Sequence, residues 1–337
     1  MATIADVARH AGVSISTVSY VLSGKRAISA ETDARVRRSI RELGYRPHAG
    51  ARSLAGSRTN VLALVVPLRS DMNLPVLMRF VTTIVLSARE HDHDVLLLTQ
   101  DEGVDGLLRV AESAMADAFI VMDVEADDPR PAVLTGLAQP SVLIGVPDDP
   151  SGLPCVDLDF AAAGAACLEH LAGLGHRCVG FLGPPEQVYL RGTSFARRTL
   201  EGFRGAADAH GVRTAEEPCT PTFGGVRAAL AALRERRPGL SAVVVHNEDA
   251  LPVLQEVLHA EGAGVPGDLS LVAIGPDESA EGLPVPMTVV AMPAEQIAKD
   301  AVRTVMRRLD GAEDHTVRLL PPQLQLRAST APPPNAP

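Results

Sequence analysis

The stretch TIADVARHAGVSISTVSYVLSG, residues 3 to 24, decides the fold of the amino-terminal part of the chain. Thr3 is followed three residues later by Asp6, a spacing typical of a helix N-terminus, and Gly12 permits a tight turn after that helix. Ser14 is suited to cap a second helix. The apolar positions that recur at helical spacing in the first helix are Ile4, Val7, Ala8 and Ala11. Two short helices joined by such a turn predict a helix-turn-helix, whose second helix enters the major groove of DNA.

The second helix of this motif has one apolar face and one face that is left open. Its spacing predicts that three residues point inward: Val18, Val21 and Leu22. It leaves four residues facing outward: Ile15, Ser16, Ser19 and Tyr20. A third helix is predicted to begin after Ser29 and to end at Gly44.

The charge of the chain is divided unevenly between this segment and the rest. The formal net charge is −10, yet residues 1–58 contain ten Arg and Lys against four Asp and Glu. The remainder contains 21 basic against 37 acidic residues. Basic charge is therefore concentrated where DNA phosphates would be contacted, and an acidic body disfavours other contacts with DNA.

The pattern TIxDVAxxAGVSxxTVS of residues 3–19, followed by LGYRP at residues 43–47, resembles the lactose-repressor (LacI/GalR) family. The resemblance implies a regulator that binds double-stranded operator DNA as a homodimer. In that family, bases are read by the residues that match Ile15, Ser16 and Tyr20, and many members have arginine at position 20. The other residues that we expect to contact DNA are Thr3, Ser14, Thr17, Ser19, Arg26, His48, Ala51, Arg52, Leu54 and Ala55.

Residues 47–60 are small and basic, with Leu54 as the conspicuous apolar member. In the family this segment is a hinge helix that folds on operator DNA and inserts a leucine into a minor-groove step. Two helical turns are unstable alone, and Gly50 weakens such a helix by about 1 kcal/mol. We therefore expect the segment to fold only with DNA and a partner subunit. A passive linker is the alternative.

From Val61 onward, short apolar runs alternate with amphipathic helical stretches. This alternation predicts an α/β body of two doubly wound parallel-sheet lobes behind the all-α helix-turn-helix head, and the resemblance implies a periplasmic-binding-protein-like body. The predicted domains are the head (1–46), the hinge (47–60), the effector-binding and dimerisation body (61–327) and a disordered tail (328–337). Lobe 1 is expected at 61–160 and 292–317, and lobe 2 at 161–290 and 318–327.

The cleft between the two lobes is the expected effector site, because ligands of parallel sheets bind beyond the carboxyl ends of the strands. Asn247 and Asp277 match effector-binding residues of the family. The family's cleft arginine falls at Thr199, which argues against a phosphorylated or purine-like ligand; the alternative is that Arg197 or Arg198, displaced by a position or two, reaches one. A carboxylate suits the hydroxyl groups of a polyol. The other candidate effector-binding residues are Arg69, Asp71, Asn73, Asp123, Phe160, Tyr189, Arg197 and Phe223, with core packing as the alternative for each phenylalanine.

Other functional classes find little support in the sequence. The run HDHD at residues 91–94 lacks the further histidine of a metallohydrolase motif, because Leu96 stands at that position, and we expect no metal or other cofactor. The four cysteines have no Cys-x-x-Cys spacing, and no nucleophile or phosphate-loop motif predicts an enzyme. No apolar run approaches the roughly 20 residues of a spanning helix, so we expect a cytoplasmic protein without a membrane partner.

The residues and the resemblance together predict a repressor of carbohydrate-utilisation genes that a small neutral saccharide releases from a palindromic operator. Within the family, residues 16–26 and 73–78 look similar to actinobacterial cellobiose and β-glucoside repressors. One alternative is a regulator that responds to a non-sugar metabolite such as a nucleoside. Another is a sugar-binding receptor of the transport type, against which the head and the lack of a signal peptide argue.

Overall fold

The computed structural model describes residues 2–23, 26–45 and 58–334. The first two ranges form the helical head, with α1 (Ile4–Ala11), α2 (Ile15–Ser23) and α3 (Ala30–Glu42). Thr3 and Asp6 cap α1 reciprocally, and Gly12 ends it in the left-handed conformation with φ 64°. The predicted helix-turn-helix is therefore present with the expected caps.

The small core of the head forms where the three helices meet. Val7, Val18 and Val36 are fully buried there, and Tyr45 closes one side. Val21 is buried as predicted, but the prediction for Leu22 is wrong, because its side chain is 40% exposed. Leu22 is not among the residues that form the apolar cluster of the head.

The body begins with eight elements in alternating order: β1 (Val61–Val65), α4 (Leu74–Arg89), β2 (Asp94–Leu98), α5 (Gly103–Glu112), β3 (Ala118–Val121), α6 (Arg130–Thr135), β4 (Ser141–Ile144) and β5 (Cys155–Leu158). Eight further elements follow, with two successive helices after β6: α7 (Phe160–Gly173), β6 (Cys178–Gly183), α8 (Glu186–Leu190), α9 (Ser194–His210), β7 (Arg213–Pro218), α10 (Phe223–Arg236), β8 (Ala242–Val245) and α11 (Ala250–Ala260). The chain ends with β9 (Ser270–Gly275), α12 (Asp277–Glu281), β10 (Thr288–Ala291), α13 (Ala294–Leu309), β11 (Val317–Leu320) and β12 (Leu324–Gln325).

These strands form two six-stranded sheets, one in each lobe. The lobe 1 sheet has the order β11-β5-β4-β3-β1-β2 and is parallel throughout. The lobe 2 sheet has the order β12-β10-β9-β8-β6-β7 and is parallel except for β12, which runs antiparallel to β10. The prediction of two doubly wound lobes is confirmed in this architecture.

The chain crosses between the lobes three times. The first crossing follows β5 and the second follows β10, close to the predicted positions. The third lies later than predicted, because Val317–Leu320 pairs with Cys155–Leu158 in the lobe 1 sheet and the chain reaches lobe 2 only at Leu324. Lobe 1 therefore extends to Leu320.

The carboxyl-terminal residues as far as 334 are not the disordered tail that their Ala and Pro content predicts. Ser329 is fully buried, and its hydroxyl group donates to the carbonyl oxygen of Leu271 over 2.5 Å. The main-chain N–H of Thr288 donates to the same hydroxyl oxygen over 2.8 Å. This prediction is wrong for residues 328–334, because hydrogen bonds to lobe 2 outweigh a composition that disfavours regular structure.

The start of the body is held tightly against lobe 1. Asp117 accepts hydrogen bonds from the main-chain N–H groups of Thr59 and Asn60, each over 2.7 Å. Residues 46–57, which contain most of the predicted hinge, lie outside the described residues. The predicted DNA contacts of that segment, His48, Ala51, Arg52, Leu54 and Ala55, lie there too. Within the described ranges, no helix is both long and apolar enough to cross a membrane.

Candidate functional site

The outer face of α2 is the candidate DNA-reading surface. Ser14 caps the helix, because its hydroxyl oxygen accepts a hydrogen bond from the main-chain N–H of Thr17 over 3.1 Å. The hydroxyl group is therefore already engaged within the head. Ile15 is 51% exposed and Ser16 is also exposed, as the spacing predicts. Thr3 is similarly occupied in the cap of α1. The base-reading positions at the start of α2 therefore remain free for DNA.

Tyr20 lies one turn further along α2, with Thr17 and Ser19, and all three are partly exposed. The guanidinium carbon of Arg26 lies 5.7 Å from the centroid of the Tyr20 ring, a cation–π distance. The head therefore offers a tyrosine ring with an adjacent positive charge at this position of the outer face.

A cleft of about 700 Å³ separates the two lobes and forms the candidate effector site. It lies at the carboxyl ends of strands from both sheets, which is the position expected for doubly wound folds. Six of the ten predicted effector residues line it: Arg69, Asp71, Asn73, Asp123, Phe160 and Asn247.

Several polar contacts join the lobes near this cleft, among them the following three between side chains of both lobes. Arg191 of lobe 2 donates to Asp71 of lobe 1 over 2.5 Å. Asn73 donates from Nδ2 to Oδ1 of Asp249 over 2.8 Å. A third pair, Arg79 on α4 and Glu278 on α12, lies 2.7 Å apart. The relative position of the lobes is therefore linked to groups beside the ligand space.

The two arginines that line the cleft already have acidic partners. Arg69 pairs with Asp123 and, over 2.9 Å, with Asp101. Arg191 pairs with Asp71. Because both guanidinium groups are neutralised in place, a ligand phosphate would have to displace an existing carboxylate before it could pair with either.

An aromatic cluster forms the apolar wall of the cleft. The ring centroids of Phe160 and Phe195 lie 5.5 Å apart, and that of His246 lies 5.8 Å from Phe160 and 5.5 Å from Phe195. Burial lowers the pKa of His246 to about 4, so the imidazole is neutral at pH 7. Phe160 both packs in the core and lines the cleft. The wall suits the apolar face of a sugar ring or another flat ligand.

Asp157 also lines the cleft and pairs with Arg198 over 2.7 Å. Burial raises the pKa of Asp157 to about 6, although the arginine opposes that shift. Arg198 also lies over the ring of Phe160, 5.9 Å from its centroid. The arginine next to Thr199 thus supports the aromatic wall from behind.

Four predicted effector residues do not line the cleft. Asp277 pairs with Arg327, and Arg197 is partly exposed and pairs with Asp148. Phe223 begins α10 and is 44% exposed. Tyr189 packs its hydroxyl group beside Gly183, and burial raises its pKa. The geometry therefore leaves their proposed role in effector binding without support.

Sequence reasoning missed several cleft residues. Glu248 and Asp249 directly follow Asn247 at the end of β8, so the rule about strand ends could have found them. His246 is the first residue after β8 and carries the same signal. Arg191 and Phe195 had no such signal, because their contacts are made with residues distant in sequence.

A second cavity of about 540 Å³ lies in lobe 1 and shares Arg69 and Asp123 with the cleft. Its other arginines are also paired, Arg109 with Glu102 and Arg130 with Asp128. The HDHD run lies elsewhere, between α4 and β2. Across the described ranges, no group of three or more His, Cys, Asp or Glu is arranged to hold a metal ion.

Comparison with known proteins identifies both parts of the chain. Residues 3–48 match the model of bacterial regulatory proteins of the lacI family, and residues 168–330 match the periplasmic binding protein-like domain. The head is that of the lacI family of bacterial regulatory proteins. It is joined to a periplasmic-binding-protein-like body, and the predicted fold class is confirmed.

Several transcriptional regulators are similar over nearly the whole chain. The HTH-type transcriptional regulator CelR of Thermobifida fusca is 29% identical over 329 residues, which cover 94% of this chain and 95% of the relative. The solved transcriptional regulator CelR–cellobiose complex is 27% identical, with a TM-score of 0.69 over 98% of this chain and 100% of that chain. The Lac repressor dimer bound to operator and the anti-inducer ONPF is 21% identical, with a TM-score of 0.78 over 98% and 99%, and shows the shared fold.

Proposed function

We propose that this chain represses carbohydrate-utilisation genes by binding a palindromic operator as a homodimer, and that a small neutral saccharide in the cleft releases it. We choose a neutral ligand because both cleft arginines, Arg69 and Arg191, are already paired with carboxylates. Paired arginines disfavour an anionic effector, whereas the carboxylates, Asn247 and the aromatic wall suit hydroxyl groups and sugar faces.

The similarity to the CelR–cellobiose complex makes cellobiose the first saccharide to test. A cleft of about 700 Å³ is also large enough for a disaccharide, because ligand pockets of about 300–1,000 Å³ enclose drug-sized molecules. Maltose and glucose serve as comparisons of different linkage and size.

Release is proposed to follow from a change in how the lobes sit against each other. The contacts of Asp71 and Asn73 with lobe 2 respond to the contents of the cleft, because they lie on its walls. Lobe 1 also holds the end of the hinge through Asp117. A ligand that binds one lobe arrangement better than the other shifts the operator-binding state by that difference in affinity.

The homodimer is proposed to form through α4. Its residues Leu74, Met78 and Leu86 lie on one side of the helix and are exposed. Exposed apolar residues at this spacing favour a protein interface, and a palindromic operator requires two heads. The proposed site of action is the cytoplasm, where the DNA is, and the proposed role is binding without catalysis.

Fluorescence anisotropy with the DNA upstream of the gene tests the proposal. We expect tight binding that weakens steeply with salt, because the head neutralises phosphates, and release by one neutral saccharide. Release by a nucleoside instead would favour the metabolite-responsive alternative. Failure to bind DNA at any salt concentration, combined with tight saccharide binding, would favour a receptor.

A further inference from the structure

Glu248 lies on the lobe 2 wall of the cleft, between Asn247 and the start of α11. Its carboxyl group accepts a hydrogen bond from the main-chain N–H of its own residue and has no basic partner among the described residues. The other acids near it differ, since Asp71 pairs with Arg191 and Asp249 accepts from Asn73. Glu248 is therefore a cleft carboxyl group whose acceptor positions are left for a ligand.

The end of β9 leaves space for this side chain. A Cβ atom at Gly275 would lie 2.6 Å from Cγ and 3.5 Å from Cδ of Glu248. The first distance is shorter than two non-bonded carbon atoms tolerate, so any side chain at position 275 would displace the glutamate. Gly275 thus keeps the Glu248 carboxyl group where it is.

Asp277, to which the resemblance gives a role in effector binding, is engaged elsewhere. It pairs with Arg327, which also donates to the carbonyl oxygen of Met287 over 3.0 Å and to Gln325 over 2.9 Å. Asp277 does not line the cleft. Its carboxylate therefore helps to hold the segment around β12 against lobe 2.

We propose that Glu248, rather than Asp277, is the carboxyl group of lobe 2 that accepts hydrogen bonds from the hydroxyl groups of the effector. This rests on the function proposed above. A carboxylate has acceptor positions for two hydroxyl donors, which favours a saccharide with adjacent hydroxyl groups. A phosphorylated sugar would meet the negative charge of the ionised carboxylate, which no arginine among the described residues neutralises.

The ionisation of Glu248 makes a second effect measurable, the pH dependence of saccharide binding. Burial raises the pKa of Glu248 to about 7, and the charge of Asp249 acts in the same direction. Hydroxyl donors favour the ionised carboxylate, so saccharide binding should strengthen as the pH rises through 7, by up to about tenfold between pH 6 and pH 8. The other charged or titratable groups on the cleft walls are Arg69, Asp71, Asp123, Asp157, Arg191, His246 and Asp249.

Isothermal titration of the full chain with cellobiose, maltose and glucose at pH 6 and pH 8 tests the proposal. Glu248→Gln keeps the shape of the side chain, and Asp277→Asn is the matched control because its amide oxygen can still accept from Arg327. We expect Glu248→Gln to weaken saccharide binding by about tenfold or more at pH 8 and to abolish the pH dependence. Asp277→Asn should stay within about threefold of the unmodified chain and keep the pH dependence.

The variant Gly275→Ala tests independently whether the position of the Glu248 carboxyl group matters for saccharide binding. It leaves the Glu248 carboxyl group intact but displaces it, so we expect weaker saccharide binding and no further loss in the double variant with Glu248→Gln. Thermal unfolding of each variant checks that it is folded.

Full saccharide binding by Glu248→Gln, or an equal or larger loss in Asp277→Asn, would overturn the assignment while leaving a sugar-responsive regulator in place. If the unmodified chain bound none of the three saccharides, the proposed function and the role of Glu248 would fail together.

Discussion

Asn73 joins the two lobes and caps a helix with the same amide group. Its Nδ2 donates to Oδ1 of Asp249 over 2.8 Å, and its Oδ1 accepts the N–H of Val76 over 2.8 Å. The helix that it caps is α4, which carries the exposed apolar residues proposed to form the dimer interface. One side chain therefore connects the wall of the effector cleft, the opposite lobe and the start of that helix.

Replacing either partner of this contact separates the two roles of Asn73. Asn73→Ala should lower the free energy of unfolding by about 1 kcal/mol, because an N-cap is lost. Asp249→Ala leaves the cap intact and should cost less. Both variants should shift the saccharide concentration that half-releases the operator in the same direction, as measured by anisotropy. A double variant that shifts this midpoint by the sum of the single effects would show that the two residues are not coupled.

Asp117 should affect DNA binding without touching DNA. It accepts three hydrogen bonds from Thr59 and Asn60, so Asp117→Asn removes part of the anchor where the hinge enters lobe 1. We expect operator affinity to fall severalfold and the free energy of unfolding to fall by about 1–3 kcal/mol. Saccharide affinity, measured by titration calorimetry, should be unchanged.

The matched control for that anchor is Asp310→Asn, because the contact of Asp310 with Arg58 is largely exposed and surface pairs contribute little. Normal operator binding by Asp117→Asn would show that this anchor of the hinge does not affect DNA binding.

We expect Arg26 to strengthen DNA binding through its charge rather than to select a DNA sequence. Its guanidinium group lies against the Tyr20 ring at the end of the recognition helix. Arg26→Ala should weaken binding to operator and unrelated DNA by similar factors and lower the slope of log affinity against log salt by about one unit. Anisotropy titrations at several salt concentrations give that slope. A loss confined to the operator would instead show that Arg26 reads bases or positions Tyr20 for reading them.

His246 should make the body less stable in acid. Its pKa is lowered by burial to about 4, below the value of about 6.5 in an unfolded chain. Its contribution to stability is therefore complete above pH 6.5 and is lost as the pH falls toward 4, with up to about 2 kcal/mol lost by pH 5. His246→Gln, measured by denaturant unfolding at pH 7 and pH 5, should lack this loss.

Asp157 and Glu248 affect the pH dependence of stability in the opposite direction to His246, because burial raises their pKa values to about 6 and about 7. Their contributions to the free energy of unfolding therefore increase as the pH falls. This increase is the same in the unmodified chain and in His246→Gln. The comparison between the unmodified chain and His246→Gln isolates the histidine. Equal pH dependence in the two would contradict a buried neutral imidazole.

The parts that could be predicted from the sequence are those set by neighbouring residues. The caps and turn of the head depend on Thr3, Asp6 and Gly12, which act within a few positions of each other. Residues directly after apolar strands, such as Asp123 and Asn247, were expected in the cleft because strand ends meet at one edge of a parallel sheet.

The parts that could not be predicted depend on contacts between distant segments. The partner of Asp71 is Arg191, 120 residues away, and nothing near either residue indicates that pairing. Asp277 matched a family position, yet its pairing with Arg327, 50 residues away, directs it away from the cleft. Ser329 is buried although the segment from 328 onward is rich in alanine and proline, because the backbone of lobe 2 supplies its hydrogen-bond partners.

The most direct test of the central claim is reciprocal coupling between the operator and the saccharide. The affinity for the releasing saccharide is measured by titration calorimetry with the free protein and again with the protein saturated by operator DNA. If one two-state body connects the sites, operator should weaken saccharide binding by the same factor as the saccharide weakens operator binding. Equal saccharide affinity in the two titrations would contradict an effector-released repressor.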